Sequence, residues 1–202
     1  MSINHKYNLV SENTQSTVVS EYKPYSDSVR EPHHQSEAEL ERALIKQLET
    51  QAYEYLPITS EESLVLNLRK QLEKLNSFEF TDTEWEKFFV NEIANSNQSI
   101  EEKTTTIQED STKVLKRDDG TFKNIDLIDK KNIHDNSLQV INQYATEEGK
   151  RSNRYDVTVL VNGLPLVHIE LKRRGVAIAE AFNQINRYQR ESFWASSGLF
   201  EY

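Results

Sequence analysis

Cysteine is absent from the 202-residue chain, which excludes disulfide staples, thiolate nucleophiles and zinc sites built on sulfur. The histidines His5, His33, His34, His134 and His168 show no paired metal-ligand spacing, so any metal is expected on oxygen. Five glycines and four prolines are too few for a low-complexity or loop-dominated chain. No stretch approaches the roughly 20 apolar residues of a membrane span, and the polar start MSINHKYNLVSENTQS lacks the apolar heart of a secretory signal. The localisation expected from these absences is cytoplasmic. There is no G-x-x-x-x-G-K-[ST] phosphate loop, no base-reading motif and no internal repeat.

What is present suits a soluble domain of ordinary size: 36% hydrophobic and 28% charged residues, with net charge −9. That charge argues against a phosphate-rich partner until its distribution is considered. Residues 150–202 carry +3 and residues 1–149 carry −12. The basic share gathers at one end, around the stretch LVHIELKRRG.

Residues 1–35 are rich in Ser, Asn, Thr and Tyr and read as an N-terminal arm in which VVSEY adds a short strand. Ser36 with Glu39 forms a capping box that opens a first helix with Leu40, Leu44, Leu48 and Ala52 on one stripe. Two further boxes, Thr59 with Glu62 and Thr81 with Glu84, predict a helical insertion at about residues 60–95. SNQSIEEKTTTIQEDSTK reads as a polar connector, KVLKR and TFKNIDLID as two strands around an Asp-Gly turn, and SLQVINQYAT as another strand.

Two β-rich runs meet at Asn162-Gly163, a strong hairpin signal. A two-residue loop with uninterrupted pairing would oppose Asp156 to Ile169 and mix the faces. A three-residue loop, Asn162-Gly163-Leu164, pairs Val161 with Pro165, Val159 with Val167, Val157 with Ile169 and Asp156 with Glu170, so that the Val/Ile positions face their own kind. This pattern opposes two carboxylates and places Lys172 two residues along on the same face. Opposed like charges repel, and a cation between them removes the objection. Two carboxylates plus water suit Mg²⁺, which activates water toward phosphorus, and a neighbouring lysine can orient or deprotonate that water and stabilise phosphate charge. The plainer alternative is an acid at a strand start and a lysine at a strand end, both solvated.

VAIAEAFNQINRYQRESF then reads as a helix with Ala177, Ala181, Gln184 and Tyr188 on one stripe and Ile178, Phe182 and Ile185 on the next. Arg173, Arg174, Arg187 and Arg190 surround the same region and suit phosphate contacts without sequence information.

RYDVTVLVNGLPLVHIELKRRG followed by AFNQINRYQRESF resembles the nuclease domain of the restriction and motor (R) subunit of type I restriction-modification enzymes, within the PD-(D/E)xK superfamily. The likeness is strong over about residues 150–195 and looser over the first helix. It places the D…ExK residues on Asp156, Glu170 and Lys172, and the QxxxY motif on Gln184 and Tyr188. The helical acid falls on Glu41, with Glu37 one turn earlier as the alternative. Tyr155 stands where the superfamily's name has proline.

The resemblance implies an α/β (α+β) fold with a mixed central sheet flanked by helices, spanning residues 36–202. It implies Mg²⁺-dependent hydrolysis of double-stranded DNA, with Asp156, Glu170 and Glu41 at the metal, Lys172 assisting, and Gln184, Tyr188 and the four arginines positioning DNA. It further implies methyltransferase (M) and specificity (S) subunits as partners, and ATP-driven translocation by motor domains outside these residues. Since SGLFEY falls where a third core strand is due, an N-terminal fragment truncated at its C-terminus is the expectation. A stand-alone nuclease of the same superfamily and a non-catalytic interaction module are the rival readings. The acidic residues Glu61, Glu62, Glu84 and Glu86 read as a solvated surface, or as a field that confines DNA to the active face.

Overall fold

The computed structural model describes residues 7–12, 17–21, 35–146, 153–173, 178–191 and 199. The chain divides into two compact units, residues 1–34 and 35–202. In the first, β1 (Tyr7–Glu12) and β2 (Thr17–Glu21) pair antiparallel with an irregularity between Leu9 and Ser11.

The second unit opens with α1 (Glu37–Thr50), closed at its N-terminus by the Ser36/Glu39 capping box. After the two-residue β3 (Glu54–Tyr55) comes α2 (Glu61–Asn76). Its cap is Ser60, whose hydroxyl accepts from Ser63 N, rather than Thr59. The helix thus begins one residue later than the Thr59/Glu62 pair suggests. α3 (Asp82–Phe88) starts at the expected Thr81/Glu84 box and runs into a π-helical turn at Phe89–Ile93. The stretch expected as a polar connector contains α4 (Ile100–Glu109), opened by a Ser99/Glu102 capping box. Only Lys103 of this helix is buried, so it carries little of the apolar periodicity by which helices are recognised.

β4 (Thr112–Lys116) and β5 (Phe122–Asp126) form the hairpin expected around Asp-Gly, with Gly120 at φ 86°. Glu84 is no surface acid: buried to 1% exposure, it accepts from Arg117 Nε and Asp118 N and ties α3 to this hairpin.

The central sheet has the order β3-β6-β7-β8, in which β6 (Leu138–Thr146), β7 (Asn153–Val161) and β8 (Leu164–Ile169) pair antiparallel in succession and β3 is parallel to β6. It is a mixed sheet with helices on either side, an α+β architecture. Leu64, Leu68 and Leu72 of α2, all fully buried, meet Ile141, Leu160 and Leu164 in the larger core cluster. Burial of each such leucine contributes about 1.5–3 kcal/mol. Ile45, Leu44 and Leu48 of α1 meet Val140, Val157, Ile169 and Leu171 in a second cluster.

The β7–β8 connection is a two-residue turn, not the three-residue loop expected. Asn162 (φ 51°) and Gly163 (φ 84°) are both left-handed, as the tightest hairpin turn requires, and Val161 pairs with Leu164. The extra residue is absorbed instead as a bulge: Leu160 pairs with Pro165 but Val159 with Val167, leaving Leu166 over. Beyond the bulge the expected pairs Val159–Val167 and Val157–Ile169 are present.

The turn is held from three sides. Asn162 donates from Nδ2 to Leu127 O (2.9 Å) and Asn136 Oδ1 (2.8 Å), and exchanges bonds with Ser137. A Cβ on Gly163 would lie 2.6 Å from Leu68 Cα, so the turn presses directly on the α2 backbone.

Between the bulge and the strand end, His168 is stacked on Tyr155 (centroids 4.8 Å apart) with Nδ1 3.1 Å from Thr158 Oγ1. Burial pushes its imidazole down to about 4.

Two outcomes are expected. Gly163→Ala meets both a steric clash and a left-handed backbone, and loses about 2 to 4 kcal/mol in urea unfolding; an unchanged midpoint would show that the turn does not press on Leu68. The His168 imidazole binds a proton in the unfolded chain near pH 6.5 but in the folded chain only near 4. Its neutral burial therefore favours the fold fully above about pH 6.5, and about 3 kcal/mol is lost as pH falls to about 4. His168→Gln should flatten the pH dependence of stability by that amount; parallel profiles for variant and parent would refute it.

Candidate active site

The site is built where β7 and β8 leave the core. One rung beyond the Val157–Ile169 pair, Asp156 reaches past β8: its Oδ2 accepts the backbone N–H of Leu171 at 2.9 Å. Glu170, the residue that follows the end of β8, has a side chain only 4% exposed and accepts from Lys172 Nζ at 2.5 Å. Burial pulls the Lys172 ammonium down, but the hydrogen bond and charge of Glu170, with the charges of Glu37 and Asp156, outweigh it and raise its pKa. Lys172 is accordingly a fixed cation at neutral pH, serving three carboxylates.

Of the two acids weighed on α1, Glu37 is the one beside Lys172. Its Oε1 accepts from Arg173 N at 3.4 Å. The Ser36 cap fixes the start of α1 and so puts Glu37 in its first turn, where a negative charge is favoured by the helix dipole. Glu41, one turn later and 7% exposed, accepts from Asn142 Nδ2 at Oε1 and from Gln143 Nε2 at Oε2, both at 2.5 Å.

A cleft of about 840 Å³ opens over this region, lined by Ser36, Glu37, Lys172, Arg173, Glu180, Asn183 and Gln184. The last three belong to α5 (Ile178–Glu191), so Gln184 shares the cleft with Lys172, while Phe182 and Ile185 are 38% and 41% exposed. Arg174 and Ala177 lie outside the described residues, as do the side chains of Ala181, Arg187, Tyr188 and Arg190. Glu180 and Asn183 were not singled out in the sequence; their only signal is helical adjacency to Gln184.

Among the described residues no three His, Cys, Asp or Glu side chains gather tightly enough to enclose an ion. The donors at hand, Asp156, Glu170 and Glu37, are all hard oxygens. Two carboxylates with water completing the shell is a set that fits Mg²⁺, which keeps several of its waters and seldom uses an all-protein cage. Among the described residues, no helix is long and apolar enough to cross a membrane.

Residues 34–202 match the sequence family described as Type I restriction enzyme R protein N terminus. The Type I restriction enzyme EcoprrI endonuclease subunit of Escherichia coli is 49% identical over 170 residues, covering 84% of this chain and 54% of that protein. The SsaAORF53P endonuclease subunit of Staphylococcus saprophyticus is 38% identical over 174 residues, covering 84% of this chain and 18% of that protein. A putative type I endonuclease subunit of Methanocaldococcus jannaschii is 42% identical over 74 residues, 34% of this chain and 7% of that protein. The chain thus spans about half the length of the E. coli relative and under a fifth of the staphylococcal one. It belongs to the family of type I restriction enzyme R proteins, whose N-terminal region it represents.

Proposed function

We propose that the chain is the DNA-cleaving domain of a type I restriction endonuclease subunit, hydrolysing phosphodiester bonds of double-stranded DNA with Mg²⁺. The observation that carries this reading is the grouping of Asp156, Glu170 and Lys172 just beyond the Val157–Ile169 pair, with Lys172 lining the cleft, in a chain whose relatives are named endonuclease subunits. Asp156 and Glu170 hold the cation. Glu37 takes the part of the helical acid, since both oxygens of Glu41 are already bonded to amides. The bound cation supplies Lewis acidity toward water and the scissile phosphate.

The raised pKa of Lys172 favours a charge-stabilising role: its ammonium neutralises the phosphate as negative charge builds. Glu170 would hold the cation through the carboxylate that also accepts from Lys172, and an ammonium released from it would be able to turn toward DNA. Arg173, Arg174, Arg187 and Arg190 hold backbone phosphates, and Gln184 and Tyr188 position the strand. ATP hydrolysis and translocation reside in other parts of a longer protein, and M and S subunits supply methylation and the choice of site.

Removing Glu170 outright strands the part-buried Lys172 and costs about 3–5 kcal/mol, so two variants are informative. In the complete restriction complex, Glu170→Gln and Glu170→Ala should each abolish Mg²⁺-dependent cleavage of plasmid DNA while ATPase activity and translocation continue. Normal cutting by either variant refutes the assignment.

A further inference from the structure

We infer that Glu41 is a positioning residue, which holds the left-handed turnover of β6 at Gln143 and thereby sets the orientation of Asp156; this rests on the reading of Asp156 as a metal-holding carboxylate. Gln143 has φ 52° in the middle of β6, a conformation that side-chain-bearing residues adopt at a cost and keep only when their surroundings enforce it. Asn142 pairs with Val157 and Tyr144 with Tyr155, while the rung between them, Gln143 opposite Asp156, is missing from the ladder. The strained residue and the candidate catalytic acid are therefore cross-strand neighbours.

The consequence of the turnover can be followed in the cores. Strict alternation would put Val140, Asn142 and Tyr144 on one face and Tyr155 with Val157 on the matching one. Instead Val140 and Val157 pack with Ile45 of α1, whereas Tyr144 and Tyr155 pack in the cluster of α2. The two strands exchange faces across this rung. Asp156 sits at the point of exchange, where its carboxylate reaches Leu171 N and lies close enough to Lys172 to raise its pKa together with Glu37 from α1.

Glu41 is what enforces the conformation. Both of its oxygens are taken by consecutive side chains of β6, Asn142 and Gln143, and the Asn142 Oδ1 accepts in turn from Tyr55 Oη at 2.9 Å. Two successive residues of a regular strand point to opposite faces and could not both reach one carboxylate. The same helix carries Glu37 one turn earlier, so a single buried acid registers α1 against the sheet and the turned rung against Asp156.

The test is Mn²⁺ titration of the 202-residue chain, followed by water-proton relaxation, with urea unfolding in parallel. Asp156→Asn should remove the site; if it does not, the active-site reading itself fails, whatever Glu41 does. Given that loss, Glu41→Gln should weaken Mn²⁺ about tenfold or more, as loss of an orienting partner does, while unfolding stays cooperative. Adding Gln143→Gly, which adopts a positive φ without strain, should recover most of the affinity. Leu72→Ala, a comparably destabilised control remote from the rung, should bind Mn²⁺ as the parent does. Unchanged affinity in Glu41→Gln would overturn the inference, and so would weakened binding that Gln143→Gly fails to restore, because the effect would then not pass through the turned rung.

Discussion

The structure depends on the register of β7 against β8. In a two-faced sheet a slip of one residue exchanges every inward side chain for an outward one, and here it would also carry Leu171 away from the Asp156 carboxylate that accepts its N–H. Two devices fix that register. The Asn162-Gly163 turn is pressed on Leu68 and tied to Leu127, Asn136 and Ser137, and the bulge at Leu166 then advances β8 by one residue. The tight turn satisfies the backbone and the bulge satisfies the hydrophobic pattern. Together they deliver the same far-end pairing that a longer loop would have given.

Charge follows from that geometry. A 4%-exposed glutamate is tolerable because a lysine two residues away bonds to it, and the lysine is held protonated against its own burial by three carboxylates. In the proposed site the same carboxylate would be shared between the ammonium and a divalent ion. The large negative balance of residues 1–149 is partly absorbed in the fold: Glu84 is consumed in tying α3 to the β4–β5 hairpin, and Glu41 in fastening α1 to β6.

Features with a local physical cause were legible in the sequence. The Ser36 and Thr81 caps, the Asp-Gly and Asn-Gly turns and the alternating valines of β7 each announce their element through nearest-neighbour chemistry. The α/β (α+β) class came with the family resemblance, and the mixed sheet with its flanking helices agrees with it. Less was legible where a tertiary contact decides. α4 escaped because it turns little apolar surface inward, and the bulge was mistaken for loop length because both shift register equally. Gln143 carries no glycine or asparagine signal for a positive φ; only the buried Glu41, distant by about a hundred positions in sequence, explains it. The choice between Glu37 and Glu41 was open for the same reason, since helical spacing puts both near one stripe and only their partners separate them.

The most direct test of the account is the position of a divalent ion. Crystals soaked in Mn²⁺ should show an anomalous peak about 2.1 Å from carboxylate oxygens of both Asp156 and Glu170, with the Lys172 ammonium displaced from Glu170. An ion bound elsewhere, or none while Lys172 remains on Glu170, would contradict it.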